Sequence, residues 1–144
     1  MILTDVNVLV YAFRQEAPQH ESYARWLDAL VDGAQELALH DLPLLGMVRI
    51  VTNPRIFRPP APTSLALEFI QRLMEARRAR WLSPGPRPWS RVVTLSGTDR
   101  ARAGNLAPDA FLAALAITHG CRLATADRGF ARFPGLDWFD PATA

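Results

Sequence analysis

An α/β fold on a mostly parallel central sheet is what this sequence predicts, and three observations lead there. Five short apolar stretches, "ILTD", "ELALH", "ARWLS", "CRLATAD" and "LDWFD", alternate with longer stretches whose apolar residues keep helical spacing. Parallel strands are joined by long, usually helical crossovers, so this alternation implies helices over both faces of the sheet. The length of 144 residues suits a single domain over 1–144, with no internal repeat and no second unit.

The first strand is expected over residues 2–5, and a helix from near Asn7 to Phe13 follows. Asp5 interrupts this apolar opening, and an ionised carboxylate taken out of water needs a partner. "APQHESYARWLDALVDG" reads as a loop and an amphipathic helix with Tyr23, Trp26, Leu27, Leu30 and Val31 on its apolar side. Gly33 stops it. "ELALH" is a second strand and "DLPLLGMVRIVTN" a largely apolar helix. "PRIFRPPAP", with four prolines in nine residues, is an extended connector.

"TSLALEFIQRLMEARR" restarts a helix, with Thr63 or Ser64 as N-cap and Leu65, Phe69 and Leu73 on one face. "EARRAR" reads as the solvated end of that helix. "ARWLS" is a third strand, "PGPRP" ends it, and a short helix covers 89–96, with a polar loop over 97–105. "APDAFLAALAITHG" has Pro at its start, Asp109 in its first turn and Gly at its stop, a strong helix signature. "CRLATAD" and "LDWFD" close the sheet.

Composition excludes more than it selects. All sixteen basic residues are Arg, with no Lys. That removes P-loop, Schiff-base and kinase-type sites, which need a Lys. His20, His40 and His119 form no metalloprotease motif, and no Gly-x-Ser-x-Gly elbow or Gly-x-Gly-x-x-Gly loop occurs. Cys121 is alone, so no intramolecular disulfide or zinc cluster forms, and a reducing cytoplasm is the simplest setting. No membrane span and no signal peptide are expected. The net charge of +2 is weak support for an anionic partner.

Chemistry must then come from carboxylates. Asp5 ends the first strand, Asp127 ends "CRLATAD", Asp41 follows "ELALH", and Asp109 opens the Ala-rich helix. Strand C-termini and the helix starts after them share one edge of a parallel sheet, the edge where such folds build their sites. Clustered carboxylates repel unless a cation joins them, and hard oxygen donors suit Mg²⁺ or Mn²⁺. A metal ion is therefore the expected partner of Asp5. Such a site activates a water and neutralises charge on a phosphate. Each acid also has a plain structural use: Asp109 at a helix dipole, Asp127 capping a turn, Asp41 as an N-cap. Thr125, two residues before Asp127, shares its side of the strand, and Asn7 can cap or orient.

With these residues in place, the sequence resembles the PIN-domain ribonucleases, in particular the VapC-type toxins of bacterial toxin–antitoxin pairs and a mycobacterial-type subgroup of them. The resemblance rests on "LTDVNVLVYAF", "LLGMVRIVTNPRIF", "NLAPDAFLAALAITHG" and "LATADRGFARFPGLDWFDP", in that order over nearly the whole chain. It implies a three-layer α/β/α sandwich, a divalent metal (Mg²⁺ or Mn²⁺) and endonucleolytic cleavage of RNA. By position, Asp5, Asp109 and Asp127 match the metal-holding acids, and Asn7 and Thr125 the polar residues beside them. It also implies a homodimer blocked by a VapB-type antitoxin, often through an Arg reaching the acidic cluster.

One departure stands out. Many members carry a Glu in the helix read here as "LLGMVRIVT", where this chain has Gly46 and Met47. Asp41 is the nearest acid, roughly one and a half turns upstream. Either Asp41 takes that role or the site runs on three acids. Arg49 and Arg128 are candidates for RNA phosphates, with surface ion pairs as the equal alternative. The rival reading is a degenerate PIN module that binds RNA or a protein without cutting. A phosphatase with Asp5 as nucleophile would want a second Asp where Asn7 stands, and a Lys, so it is rejected.

Overall fold

The computed structural model describes residues 1–83, 85–96 and 106–144, with the backbone alone at Leu106. The polar loop expected over 97–105 lies outside the described residues. The elements run β1 (Ile2–Thr4), α1 (Val6–Phe13), α2 (His20–Asp32), β2 (Leu37–Leu39), α3 (Asp41–Val51), α4 (Thr63–Met74) and β3 (Ala79–Trp81). There follow α5 (Pro86–Ser96), α6 (Leu106–His119), β4 (Arg122–Ala124), a 3₁₀ turn (Arg128–Arg132) and β5 (Trp138–Phe139).

The five strands form one sheet in the order β3-β2-β1-β4-β5, and every pairing is parallel. Alternate side chains feed two cores. Ile2, Leu37, Leu39 and Ala124 join the core under α1 to α4, while Leu3, Ala38 and Leu123 join the core under α5 and α6. Both faces of the sheet are therefore covered, which is why its strands read as continuous apolar runs. Three layers result, as the sequence implies. Helix α6 lies deep in its layer, with Ala110 and Leu112 through Ala116 all buried, so its Ala-rich composition reflects close packing. Among the described residues no helix is long and apolar enough to cross a membrane.

Several local expectations are corrected. β1 ends at Thr4, and Asp5 is the N-cap of α1 instead of its last strand residue. His40, not Asp41, caps α3, because its Nδ1 takes the Leu42 N–H at 3.1 Å. Pro62 precedes α4 with no side-chain cap, so neither Thr63 nor Ser64 serves as one. The buried stripe of α4 is Ala66, Ile70 and Leu73, leaving Leu65 exposed. That helix also stops at Met74: "EARRAR" turns into β3, and Arg78 and Arg80 both pair with Glu36, at 3.3 and 3.1 Å. Helix α5 starts at Pro86, three residues before Trp89, with proline where a first helical residue tolerates it.

Candidate active site

Asp5 leaves β1 and immediately caps α1. Its Oδ1 accepts from Val6 N–H at 2.7 Å, and its Oδ2 accepts from Asn7 Nδ2 at 2.8 Å and from Thr125 Oγ1 at 2.6 Å. Thr125 is fully buried, and its Oγ1 accepts in turn from Asp127 N–H at 3.0 Å. Asn7 Oδ1 takes the Ala126 N–H at 3.1 Å. The end of β1 and the end of β4, neighbours in the sheet, are thus stitched through three polar side chains. Period-2 alternation does not by itself predict that link; it needs the strand order.

Asp5 is only 8% exposed. Burial pushes its carboxyl up to about 6, and the charges of Asp109 and Asp127 push the same way, against the Thr125 and Val6 hydrogen bonds. Asp109, in the first turn of α6, is also raised, first by burial. Asp127 caps the 3₁₀ turn, its Oδ1 accepting from Gly129 N–H at 2.7 Å, and stays exposed. Three expected acids therefore gather at the carboxyl edge of the central strands, close enough to act on one another electrostatically.

One cation of the chain already stands there. Arg132 Nη2 donates to Asp109 Oδ2 at 3.0 Å, while Nη1 donates to Gly129 O at 2.8 Å and the guanidinium lies over the Phe133 ring. This arrangement depends on Gly129, where a Cβ would stand 2.8 Å from Arg132 Nη1 and 2.9 Å from Asp127 Oδ1. Sequence reasoning missed Arg132. Its only signal was its place in "DRGFAR", one tight turn beyond Asp127.

The other expected residues do not join the cluster. Asp41 is exposed and lines a groove with Leu45, Leu67 and Trp81 between α3 and α4. Arg49 is exposed in the last turn of α3, well down the helix from the carboxyl edge. Arg128 lines a separate groove with Trp26, Arg122 and Trp138 at the β5 edge. The missing helix acid also has a packing cause. A Cβ at Gly46 would meet Val6 Cγ2 at 2.9 Å, and Met47 is fully buried. At these two positions α3 is committed to contact with α1 and the core.

The donor set is all oxygen, which suits a hard divalent cation. Asp5, Asp109 and Asp127 are the residues that could hold one, and Asp5's carboxyl is raised first by burial and then by the charges of the other two. Among the described residues, however, no three acid, His or Cys side chains stand close enough to hold a metal as they are placed. Asp109 already accepts from Arg132 through one of its oxygens.

The PIN domain family pattern matches residues 2–136. Ribonuclease VapC43 of Mycobacterium tuberculosis is 39% identical over 141 residues, which cover 98% of this chain and 95% of that one. Ribonuclease VapC25 of the same species is 36% identical over 142 residues, covering 98% and 99%. Among solved structures, VapBC2 from Rickettsia felis bound to a promoter DNA fragment superposes with a TM-score of 0.70. It covers 97% of this chain and 98% of its own at 19% identity, a likeness of fold. With nearly its whole length matched in pattern, relatives and architecture alike, the chain belongs to the PIN domain family and is of VapC type.

Proposed function

We propose that this chain is a metal-dependent endoribonuclease and the toxin of a toxin–antitoxin pair, working in the cytoplasm. The observation that carries the reading is the convergence of Asp5, Asp109 and Asp127 around a carboxylate that Asn7 and Thr125 hold in place. The full-length relatives named as ribonucleases support the same chemistry. Asp5, Asp109 and Asp127 would hold Mg²⁺ or Mn²⁺, and Asp41 takes no part. Bound there, the cation would lower the pKa of a water and neutralise charge on the phosphate under attack. Asn7 and Thr125 fix the Asp5 oxygens, and Arg132 favours the ionised form of Asp109 against its burial. An antitoxin of VapB type as partner, and a homodimer, complete the proposal; solved VapBC and FitAB assemblies of the same fold support the first.

A second reading has an observation of its own. The Arg132–Asp109 ion pair, together with the filled positions at Gly46 and Met47, would suit a PIN module that binds without cutting. Antitoxin-free protein, incubated with a structured RNA pool in Mg²⁺, Mn²⁺ or EDTA, separates the two. Cleavage that needs metal and disappears in Asp5→Asn establishes the nuclease. If calorimetry finds no Mn²⁺ binding and the pool stays intact, the binding module stands.

A further inference from the structure

Trp89, in the first turns of α5, is 61% exposed, and its ring rests on Phe111 with centroids 4.8 Å apart. Phe111 in turn meets His40 at 5.8 Å. Both partners tie this row to the acidic edge. Phe111 lies two residues beyond Asp109 on α6, and His40 follows β2 at the level of Asp5, since Leu3 pairs with Ala38 in the parallel register. The row therefore starts from His40, level with Asp5 along the sheet edge, and ends in an indole open to solvent.

On the other flank of α5, a surface pocket of about 400 Å³ is lined by Arg87, Ser90, Arg91 and Thr94 and closed by Leu95 and Pro134. Two guanidinium groups and two hydroxyls match phosphate oxygens in charge and geometry. Helix α5 carries no acid. An exposed aromatic with arginines two residues to either side is the pattern by which proteins hold single-stranded nucleic acid: bases stack on the ring while cations follow the backbone.

We infer that α5 is a platform for single-stranded RNA, on which a base flanking the scissile phosphate stacks on Trp89 while the strand runs on to Arg87 and Arg91. Phe111 buttresses the indole from beneath. The charge of α5 favours a polyanion over an apolar protein surface as the occupant. This inference rests on the reading of the chain as an RNA-cutting enzyme.

The test uses full-length protein in EDTA and short, fluorescein-labelled single-stranded RNA of random sequence, with anisotropy as the readout. Trp89→Ala is expected to weaken binding by about tenfold or more, and Trp89→Phe to recover most of it. Arg87→Gln with Arg91→Gln is expected to flatten the dependence of log affinity on log salt by about one unit, while Trp89→Ala leaves that slope unchanged. Unchanged affinity in Trp89→Ala, with wild type still binding and cutting RNA, would overturn the platform alone. So would a Trp89→Ala protein that keeps its RNA affinity but sediments as a smaller species, which would make this face a contact between copies. Wild type that neither binds this RNA nor cuts any RNA with Mn²⁺ would overturn the enzyme reading and the platform together.

Discussion

Arg132 reaches back from the turn after β4 to Asp109 in the first turn of α6, Nη2 to Oδ2 at 3.0 Å, and so places a fixed positive charge among three carboxylates. It is held there from two sides, by Gly129 O and by the Phe133 ring. In the absence of a metal this guanidinium offsets part of the repulsion that gathers at the carboxyl edge.

Removing it exposes that repulsion. Arg132→Met keeps the aliphatic packing and deletes the charge, so Asp109 is left with burial and Asp127, both of which favour its protonated form. The metal-free variant is expected to lose about 1 to 2 kcal/mol, the range for a charge-assisted hydrogen bond at a half-buried site. Mn²⁺ should then raise its urea midpoint more than it raises that of wild type, because the cation replaces a charge the variant lacks. Equal shifts in the two proteins would mean that the metal and Arg132 do not share Asp109.

The Asp5 carboxyl sets a pH dependence of definite sign. Its folded pKa, about 6, lies above the ordinary value of 3.8, so between these two the folded state binds the proton that the unfolded chain has released. Stability from this group is complete below pH 3.8 and declines as pH rises through about 6. The full change is on the order of 3 kcal/mol for a shift of this size. Asp109 contributes in the same direction. Urea midpoints measured in EDTA from acid to neutral pH should therefore fall in wild type and fall less in Asp5→Asn. Thr125→Val removes a hydrogen bond that holds the Asp5 carboxyl down, so it should carry the decline to higher pH. A wild-type profile that rises across the window would contradict the burial of Asp5.

Much of this site was legible because strand ends and helix starts of a parallel sheet share an edge, and Asp5 and Asp127 sat at strand ends while Asp109 sat in the first turn of a helix. What escaped was decided by packing. In "SLALEFI" five of the seven residues are apolar, so more than one helical stripe fits, and packing into the core selects Ala66, Ile70 and Leu73 over Leu65. His40 and Asp41 are adjacent and both can cap. The backbone leaving β2 gives the role to His40, and the first turn of α3 then carries Asp41 into the groove beside Trp81. Arg132 finds Asp109 across 23 residues, a pairing no local spacing announces.

Gly46 offers the sharpest separation of resemblance from geometry. A glutamate there would restore the acid that many PIN proteins carry in this helix, and by resemblance alone Gly46→Glu should strengthen metal binding. The packing argues otherwise. A Cβ at this position stands 2.9 Å from Val6 Cγ2, and Val6 is the first residue of α1, directly after Asp5. Val6 is β-branched and has little rotamer freedom with which to move aside. The strain therefore passes into the start of α1, whose cap is the Asp5 carboxylate. Gly46→Glu is expected to lose about 1 to 3 kcal/mol in urea unfolding, as overpacked sites do, and to gain no Mn²⁺ affinity by calorimetry. Gly46→Ala, which adds the Cβ without the acid, should show most of the same loss. A Gly46→Glu protein that is as stable as wild type and binds Mn²⁺ more tightly would show that α1 and α3 can part at this contact, and that the site can take its fourth acid from the helix after all.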